Sequence, residues 1–384
     1  MSAPEMSNVN LGNWRLPPYN RASFTRVREL IPSANIAASG QSEPLPRALH
    51  DFGGLPVALP SGGETTIAAY LEATSTDAWL VLHQGAVLHE WYRNPECSRE
   101  PHILFSVSKS VTAILAGVLW GDGLLDPDAP VTRYVPELGQ SAYGDVTVRH
   151  LLDMTVSLQF NEDYLNPDEL YLRYRQATGW NPRRPDFETT RDFLARLKKN
   201  THPHGERFHY RSPNSDLLGW VIERASGRKL AELLSERIWK PMGAESDAYI
   251  TLDPAGAPRT AGGICMMVAD LARFGEMIRC RGIANGRQIV PGAWIDDIRT
   301  GGSVDQWVKG DMTNFIAKGR YRSKFYNLAD SSAFMGIGIH GQWLYIDPDA
   351  DLVIAKFSSQ PEPVKDSIDH LNLAAFAALS AEFS

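Results

Sequence analysis

The sequence has little that would suit a nucleic-acid or membrane partner. Its 384 residues include 38 Lys and Arg against 45 Asp and Glu, which gives a net charge of -7. Phosphate binding requires clustered Lys and Arg side chains, and no such cluster stands out, so a nucleic-acid partner is excluded. The longest apolar run, residues 111–120, is half of the ~20 residues that a membrane span needs. We therefore expect a globular protein with a small-molecule partner, and we leave a homodimer open.

Cysteine is scarce too, and the sequence has neither the common zinc-protease motif nor a phosphate loop. Cys97, Cys265 and Cys280 are an odd number at wide spacings, which predicts reduced core residues and no disulfide framework. No His-Glu-x-x-His pattern and no phosphate loop occurs, and we expect neither a metal nor a cofactor. The N-terminal residues lack a basic segment followed by an apolar one, which favours the cytoplasm.

Hydrophobic patterning predicts strands towards both ends of the chain and helices between them. Residues 78–83 and 86–92 flank Gln84-Gly85, and residues 336–346 and 351–358 flank a turn at 347–350. Each pair predicts a hairpin. Apolar residues at three- and four-residue spacing predict helices at residues 65–73, 107–120, 146–156, 189–199, 213–225, 229–238, 269–279 and 366–382.

This order of elements predicts an α/β (α+β) fold. An antiparallel sheet assembled from distant segments would be flanked by helices and would carry an inserted helical lobe. We expect an N-terminal arm and first helix in residues 1–74, the sheet region in 75–135 and 262–384, and a mainly helical region in 136–261. Together they would form one catalytic unit, with the substrate bound in the cleft between the lobes.

A serine and a lysine lie one turn apart at the start of a strongly apolar predicted helix. In Ser106-Val-Ser-Lys109 the two side chains share a helix face, and the free N–H groups of the helix N-terminus can stabilise an oxyanion. Burial in this apolar helix would lower the pKa of Lys109, as a general base requires. The motif alone is a weak signal, because the same spacing at Ser226-Gly-Arg-Lys229 fits a helix end followed by a surface turn.

Other motifs accompany this one in order. Phe-Ser-Val-Ser-Lys-Ser precedes Gly-Leu-Leu-Asp-Pro-Asp-Ala-Pro-Val-Thr-Arg-Tyr-Val-Pro-Glu-Leu, and Tyr210 then precedes Leu-Leu-Gly-Trp-Val-Ile-Glu. Ala261-Gly-Gly and Asp270-Leu-Ala-Arg-Phe-Gly follow. In this combination, residues 75–360 resemble the class C β-lactamases of the penicillin-recognising superfamily and their esterase relatives. Within that superfamily the chain resembles in particular the 6-aminohexanoate-dimer hydrolases, on the segments Asn161-Glu-Asp-Tyr164, Gly179-Trp180 and Gly338-Ile-His-Gly-Gln342.

The resemblance implies a β-lactamase/transpeptidase-like fold and a set of catalytic residues. It implies Ser106 as the nucleophile, with Lys109 and Tyr210 as the other catalytic groups. It also implies an oxyanion hole formed by the backbone N–H groups of Ser106 and Ile339. Tyr164 corresponds to a loop tyrosine that contacts the substrate.

Some positions depart from the β-lactamase pattern. Tyr-x-Asn reads Tyr210-Arg-Ser212, which replaces an amide by a hydroxyl, and Lys-Thr-Gly becomes the stretch 336–338, Gly-Ile-Gly. Penicillin hydrolysis is therefore not expected. Arg175 and Ala261 take positions at which the 6-aminohexanoate-dimer hydrolases can carry an acidic residue and Asn. Arg175 would favour a negatively charged acyl or leaving group; the alternative is a solvated helix arginine.

Two further predictions concern residues around the cleft. Tyr164, Tyr171, Tyr174 and Trp180 lie in a loop-like stretch that either packs in the core or closes over the cleft as a lid. Trp180 is taken as substrate-binding, together with Ser212 and His340. For His340, next to the proposed oxyanion strand, packing beside the site is the alternative.

The predicted activity is hydrolysis of small esters and linear amides through an acyl-enzyme, with carboxylesterase activity. An α/β-hydrolase is disfavoured, because no Gly-x-Ser-x-Gly elbow occurs. Two alternatives stay open: a D,D-peptidase or β-lactamase on the same fold, and a catalytically retired scaffold that acts as a binding module.

Overall fold

The computed structural model describes residues 6–59 and 61–383 of the chain. The strands are β1 (Ser33–Ile36), β2 (Pro56–Ala58), β3 (Glu64–Thr66), β4 (Thr76–His83), β5 (Ala86–Tyr92), β6 (His102–Ile103), β7 (Ala248–Thr251), β8 (Ile264–Met266), β9 (Ile283–Ala284), β10 (Arg287–Gln288), β11 (Gly319–Arg322), β12 (Phe325–Leu328), β13 (Phe334–Gly338), β14 (Gln342–Asp347) and β15 (Leu352–Ser358). The helices are α1 (Asn20–Ser23), α2 (Ile67–Ala73), α3 (Val107–Gly121), α4 (Val148–Leu152), α5 (Glu169–Ala177), α6 (Thr190–Arg196), α7 (Pro213–Ser226), α8 (Leu230–Leu234), α9 (Val268–Arg279), α10 (Gly292–Thr300), α11 (Val304–Val308) and α12 (Asp366–Ala381).

The largest sheet is antiparallel and joins strands from distant parts of the chain. Its order is β11-β12-β13-β14-β15-β4-β5. The hairpin of β4 and β5 attaches to β15 in a register that pairs Val81 with Ile354. Both β4 and β15 are buried along nearly their whole length, so this sheet needs helices on both faces.

Alternate residues of the central strands enter two different cores. In β14, Trp343 and Tyr345 pack against Phe376 of α12 on one face. Leu344 and Ile346 belong to the core on the other face, which is covered by α3 and α9. This alternation follows from the two-residue period of a strand. As a result α3 lies in the middle of the molecule, between the sheet and α7.

The N-terminal arm contributes to the core around the start of α3. Its strand β1 pairs with β7 at the edge of a second sheet of order β1-β7-β8-β6. Trp14 and Phe24 are buried, and their rings pack against Phe105 at centroid distances of 6.1 and 4.9 Å. The arm therefore forms a wall next to Ser106, the residue that follows Phe105.

The hairpins form as expected, with one correction. Residues 336–346 are not one strand but two, β13 and β14, because the chain reverses at residues 339–341. His340 and Gly341 adopt left-handed backbone angles there, with φ of 61° and 86°. Glycine accepts such angles without steric cost, which permits a tight turn at Gly341. Gly338 and Gln342 form the last of the five residue pairs between β13 and β14, and Ile339 directly follows β13.

The helices agree with the sequence patterns less evenly. The helix expected at 146–156 covers only Val148–Leu152, and the one expected at 229–238 passes into a π-helical turn, Ser235–Trp239. The aromatic stretch assigned to a loop contains α5, whose N-cap residue Asp168 accepts a hydrogen bond from the Tyr171 N–H at 2.8 Å. Patterning alone also missed α10, α11 and the short strands β7 and β8. Among the described residues, no helix combines the length and the apolar character needed to cross a bilayer.

Candidate active site

Ser106 occupies the junction between β6 and α3, one residue before the helix begins. Phe105, immediately before it, is buried and has a left-handed φ of 43°, which is unusual for a bulky residue. The aromatic rings of Trp14, Phe24 and Trp180 surround Phe105 and stabilise this backbone turn. Ser106 is 9% exposed and lines two adjoining cavities, so its hydroxyl is accessible from the cleft.

Lys109 lies one turn along α3, and its amine contacts the serine. The Nζ of Lys109 lies 2.7 Å from Oγ of Ser106 and 2.7 Å from the carbonyl oxygen of Ala261. A carbonyl oxygen only accepts, so the amine donates there and can accept the serine proton at its other contact. Burial lowers the pKa of Lys109 to about 7, although the negative charge of Glu162 opposes part of this shift. A large fraction of the amine is therefore unprotonated at neutral pH.

Tyr210 approaches from the segment that leads into α7. Its ring stacks on that of Tyr326 at a centroid distance of 6.3 Å, its hydroxyl interacts with the Ser106 side chain, and the Lys109 amine lies 5.0 Å from the centre of its ring. Burial, reinforced by the negative charge of Glu162, raises the pKa of Tyr210 well above its usual value. The phenol therefore keeps its proton at neutral pH and is available as a proton donor. The structure thus offers a candidate base, Lys109, and a candidate acid, Tyr210, next to the same serine.

Two backbone N–H groups are available for an oxyanion. Within residues 6–59 and 61–383, the amides of Ser106 and Ile339 have no backbone acceptor. Both residues line the cleft and the smaller cavity beside it. β13 comes close to the nucleophile because Gly338 has no side chain: a Cβ there would lie 2.5 Å from the Leu104 carbonyl oxygen and 3.0 Å from the Ser106 nitrogen. Any larger residue at this position would move Ile339 away from Ser106.

The cleft itself has a volume of about 450 Å³ and is lined by Ser106 and Tyr210, whereas Lys109 contacts Ser106 without lining the cleft. Its walls include Tyr210, Tyr326 and Ile337, together with Tyr164 from the segment before α5. A smaller recess of about 20 Å³ adjoins the cleft and shares Ser106, Glu162, Tyr164 and Ile339 with it. These dimensions suit a small organic substrate.

Glu162 joins two of the predicted substrate-binding residues. Its carboxylate accepts hydrogen bonds from the Tyr164 hydroxyl at 2.7 Å and from the hydroxyl and backbone N–H of Ser212. The sequence patterns did not single out Glu162, although it lies within the quoted segment Asn161-Glu-Asp-Tyr164. Tyr164 and Ser212 do line the site, but the hydroxyl of Ser212 is already engaged by this carboxylate.

The remaining predicted site residues lie at different distances from the cleft. Arg175 and Trp180 line the recess, where the Trp180 indole packs against Phe105. His340 is not among the residues that line either cavity. Its Nδ1 contacts the Gln360 carbonyl oxygen at 2.7 Å, and burial lowers its pKa to about 4. The structure therefore places His340 in the packing behind the site, which was the alternative interpretation.

No metal centre is evident in the part of the chain that the structure describes. Within it, no group of three or more His, Cys, Asp or Glu side chains is arranged to hold a metal ion. The reacting groups at Ser106 are an amine, a phenol and backbone amides.

Comparison with known proteins agrees with this geometry. The profile of the family described as Beta-lactamase matches residues 64–379. The chain belongs to the beta-lactamase family. A 6-aminohexanoate-dimer hydrolase of Paenarthrobacter ureafaciens is 37% identical over 355 residues, which are 92% of this chain and 88% of that protein.

Two further similar proteins extend the comparison. A solved structure described as a candidate 6-aminohexanoate-dimer hydrolase from Bacillus anthracis has a TM-score of 0.91 and 28% identity, and covers 99% of this chain and 98% of that one. Esterase EstB of Burkholderia gladioli is 31% identical over 157 residues, 39% of each protein. The expected β-lactamase/transpeptidase-like fold, the resemblance to 6-aminohexanoate-dimer hydrolases and the assignment as a serine hydrolase are confirmed.

Proposed function

We propose that this hydrolase cleaves small carboxylic esters and linear amides through an acyl-enzyme on Ser106. The observation that supports it most is the contact of 2.7 Å between Oγ of Ser106 and the Lys109 amine. Burial lowers the pKa of this amine to about 7. An amine with that pKa is matched to proton abstraction near neutral pH. Ser106, Lys109 and Tyr210 form the proposed catalytic set, with Ser106 and Ile339 as oxyanion donors.

Each proton has a defined route in the proposed reaction. Lys109 takes the proton of Ser106 as Oγ bonds to the substrate carbonyl carbon, and the amides of Ser106 and Ile339 stabilise the oxyanion. Tyr210 gives its proton to the leaving alkoxide or amine as the scissile bond breaks, and the Lys109 ammonium reprotonates Tyr210. Water then attacks the acyl-enzyme, its proton passes to the same groups, and Ser106 is released with the acid.

Relatives support the substrate class. One relative is named a 6-aminohexanoate-dimer hydrolase, and another is named an esterase. This chain lacks the Lys-Thr-Gly strand of the β-lactamases and has Gly336, Ile337 and Gly338 there, so no cation meets a β-lactam carboxylate at that position. Esters and linear amides are therefore preferred over β-lactams as substrates.

A covalent probe tests the nucleophile directly. Intact-protein mass after treatment with a fluorophosphonate should show one adduct on the natural chain and none on Ser106→Ala. The matched control is Ser226→Ala, because Ser226 starts the second Ser-x-x-Lys segment yet hydrogen-bonds the Ile222 carbonyl oxygen of its own helix. This control should still be labelled. Hydrolysis of short-chain p-nitrophenyl esters should fall more than ~10³-fold in Ser106→Ala alone.

The opposite result would support the alternative of a catalytically retired scaffold. A natural chain that takes up no probe and hydrolyses no ester would be a retired scaffold acting as a binding module. A natural chain labelled equally in Ser106→Ala would place the nucleophile elsewhere.

Three expectations from the sequence stay predictions. The homodimer is tested by sedimentation of the purified chain, and the cytoplasmic location by cell fractionation. The proposed boundaries, with the sheet region in 75–135 and 262–384 and the helical region in 136–261, are tested by limited proteolysis.

A further inference from the structure

The small recess beside Ser106 is unusually rich in arginine. Arg15 from the N-terminal arm, Arg175 from α5 and Arg259 from the segment before β8 all line it. Ser106 and Ile339, the proposed oxyanion residues, line the same recess. Three guanidinium groups therefore converge on the region next to the nucleophile.

In the part of the chain that the structure describes, one of these three arginines pairs with a carboxylate. Arg259 pairs with Asp216 and also donates to the Tyr174 hydroxyl. Arg15 and Arg175, by contrast, both donate to a single neutral acceptor, Oδ1 of Asn181, at 2.5 and 3.1 Å. Within the described residues, neither Arg15 nor Arg175 forms an ion pair, and the buried Nε of Arg15 has no hydrogen-bond partner.

The acids near the recess do not neutralise this pair. Asp216 is committed to Arg259, and the Glu162 carboxylate accepts from Tyr164 and Ser212. The rings of Trp14 and Trp180 lie 5.2 and 5.7 Å from the Arg15 guanidinium carbon and offset only part of the cost of burial.

Unpaired charge in such a place is unfavourable and calls for an anion. Burial, together with the positive charge of Arg175, lowers the pKa of Arg15 to about 9, so the surroundings disfavour the second cation. Charged side chains removed from water are normally paired. A planar carboxylate matches the fork of donors that an arginine presents, and two arginines on one side of a recess can share it.

The position of Tyr210 indicates which part of the substrate would enter the recess. Tyr210, the proposed proton donor to the leaving group, lines the large cleft and not the recess. The leaving group must then depart into the cleft. The acyl chain bonded to Ser106 is therefore directed towards the recess, in which Arg15 and Arg175 lie.

We propose that Arg15 and Arg175 bind a terminal carboxylate on the acyl part of the substrate. The substrates would then be half-esters or half-amides of short dicarboxylic acids, and hydrolysis would release the dicarboxylic acid together with the alcohol or amine. This inference rests on the proposed function, since it names the acyl group of that same reaction. The recess is small, about 20 Å³, which favours a small terminal group on the acyl chain.

A matched pair of substrates isolates the charge. Monoethyl esters of succinic, glutaric and adipic acid are compared with the ethyl esters that carry a terminal carboxamide in place of the carboxylate. We expect the acid to be preferred in kcat/KM by ten- to hundred-fold at one or more of these lengths, as charge-assisted hydrogen bonds would give. The preference should collapse towards one in Arg175→Gln and in Arg15→Gln.

A control arginine lies on the same helix. Arg173 in α5 pairs with Glu169 and Asp186 at the surface, so Arg173→Gln should keep the full preference for the acid. The ratio between acid and amide carries the test, so a variant with a reduced overall rate is still informative. Inhibition of the natural chain by free dicarboxylates but not by their monoamides gives a second readout that needs no variant.

The possible outcomes distinguish a failure of the carboxylate site from a failure of the proposed hydrolase function. Hydrolysis of the neutral esters that depends on Ser106, with no preference for the acid at any length, would overturn the carboxylate site and leave the hydrolase assignment intact. A preference that survives in both Gln variants would also overturn it. If neither ester of any pair is hydrolysed, both the proposed function and this inference are wrong.

Discussion

The Nζ of Lys109 lies 2.7 Å from Oγ of Ser106, and the Lys109 side chain is buried. Burial supplies the chemical property that the contact needs, because an amine removed from water holds its proton weakly. The second contact of the amine, with the Ala261 carbonyl, orients the nitrogen towards the serine. The position of the Lys109 amine and its basicity thus have one cause, the location of this lysine within an apolar, buried helix.

The rate should depend on the protonation of Lys109. The pKa of Lys109 is lowered to about 7, so kcat/KM for a neutral ester should rise as pH increases through about 7 and level off above it. Tyr210 keeps its proton throughout this range, since its pKa is raised, and adds no descending limb near neutrality. A pH profile corrected for spontaneous hydrolysis measures this. A profile that is flat between pH 5 and 9 would contradict the role of Lys109.

Replacing the Glu162 carboxylate by a neutral amide should shift the rising part of the pH profile of kcat/KM. The negative charge of Glu162 raises the pKa of Lys109, so Glu162→Gln should lower it and shift the rising limb to lower pH. The control is Asp163→Asn, because this neighbouring carboxylate accepts from the backbone of Leu165, whereas the charges that act on Lys109 are those of Glu162, Arg259 and Asp216. Its limb should stay in place. A shift to higher pH in Glu162→Gln would show that the charge acts in the opposite sense.

Removing the Tyr210 hydroxyl should affect amides more than activated esters. In Tyr210→Phe the departing amine loses its proton donor, whereas p-nitrophenolate leaves without one. We expect a loss of ~10²- to 10⁴-fold on an anilide and a smaller loss on the matching p-nitrophenyl ester. Tyr345→Phe is the control, because the Tyr345 hydroxyl lies near Ser380, away from the cleft. Equal losses on both substrates would assign Tyr210 to the attack step only.

Truncating Trp14 should weaken both stability and activity. Trp14 is buried, its ring stacks on Phe105 at 6.1 Å, and its indole N–H donates to the Trp180 carbonyl at 3.0 Å. Trp14→Ala should lower the free energy of unfolding by about 3–5 kcal/mol, measured by denaturant titration. The rate should fall as well, because Phe105 precedes Ser106.

The exposed neighbour Leu16 provides the comparison for Trp14. Leu16 is 56% exposed, so Leu16→Ala should change the free energy of unfolding by less than about 0.5 kcal/mol. Equal effects of the two substitutions would show that the arm does not support the site.

Much of the catalytic core follows from local sequence. The spacing of Ser106 and Lys109 determines that both lie on one helix face, and the apolar residues around Lys109 determine that this helix is buried. The alternation of the hairpin strands likewise determines their facing residues. These properties depend on residues that are close in sequence, because the repeat of a helix or a strand is fixed by backbone geometry. Patterning was therefore sufficient for α3 and for the hairpin of β4 and β5.

Other features needed the tertiary structure. Tyr210 meets Ser106 only because α7 packs on α3, and Glu162 joins Tyr164 to Ser212 across two segments. Arg15 could not be selected from the sequence, since a lone arginine in a Pro- and Gly-rich arm has no local signal. The size of the pKa shift of Lys109 follows only from the folded structure, because desolvation depends on all the groups that surround the amine. The sequence determined which groups could react, and tertiary packing decided which of them meet. The reason is that the burial of a side chain and the charges around it arise only when distant segments pack together.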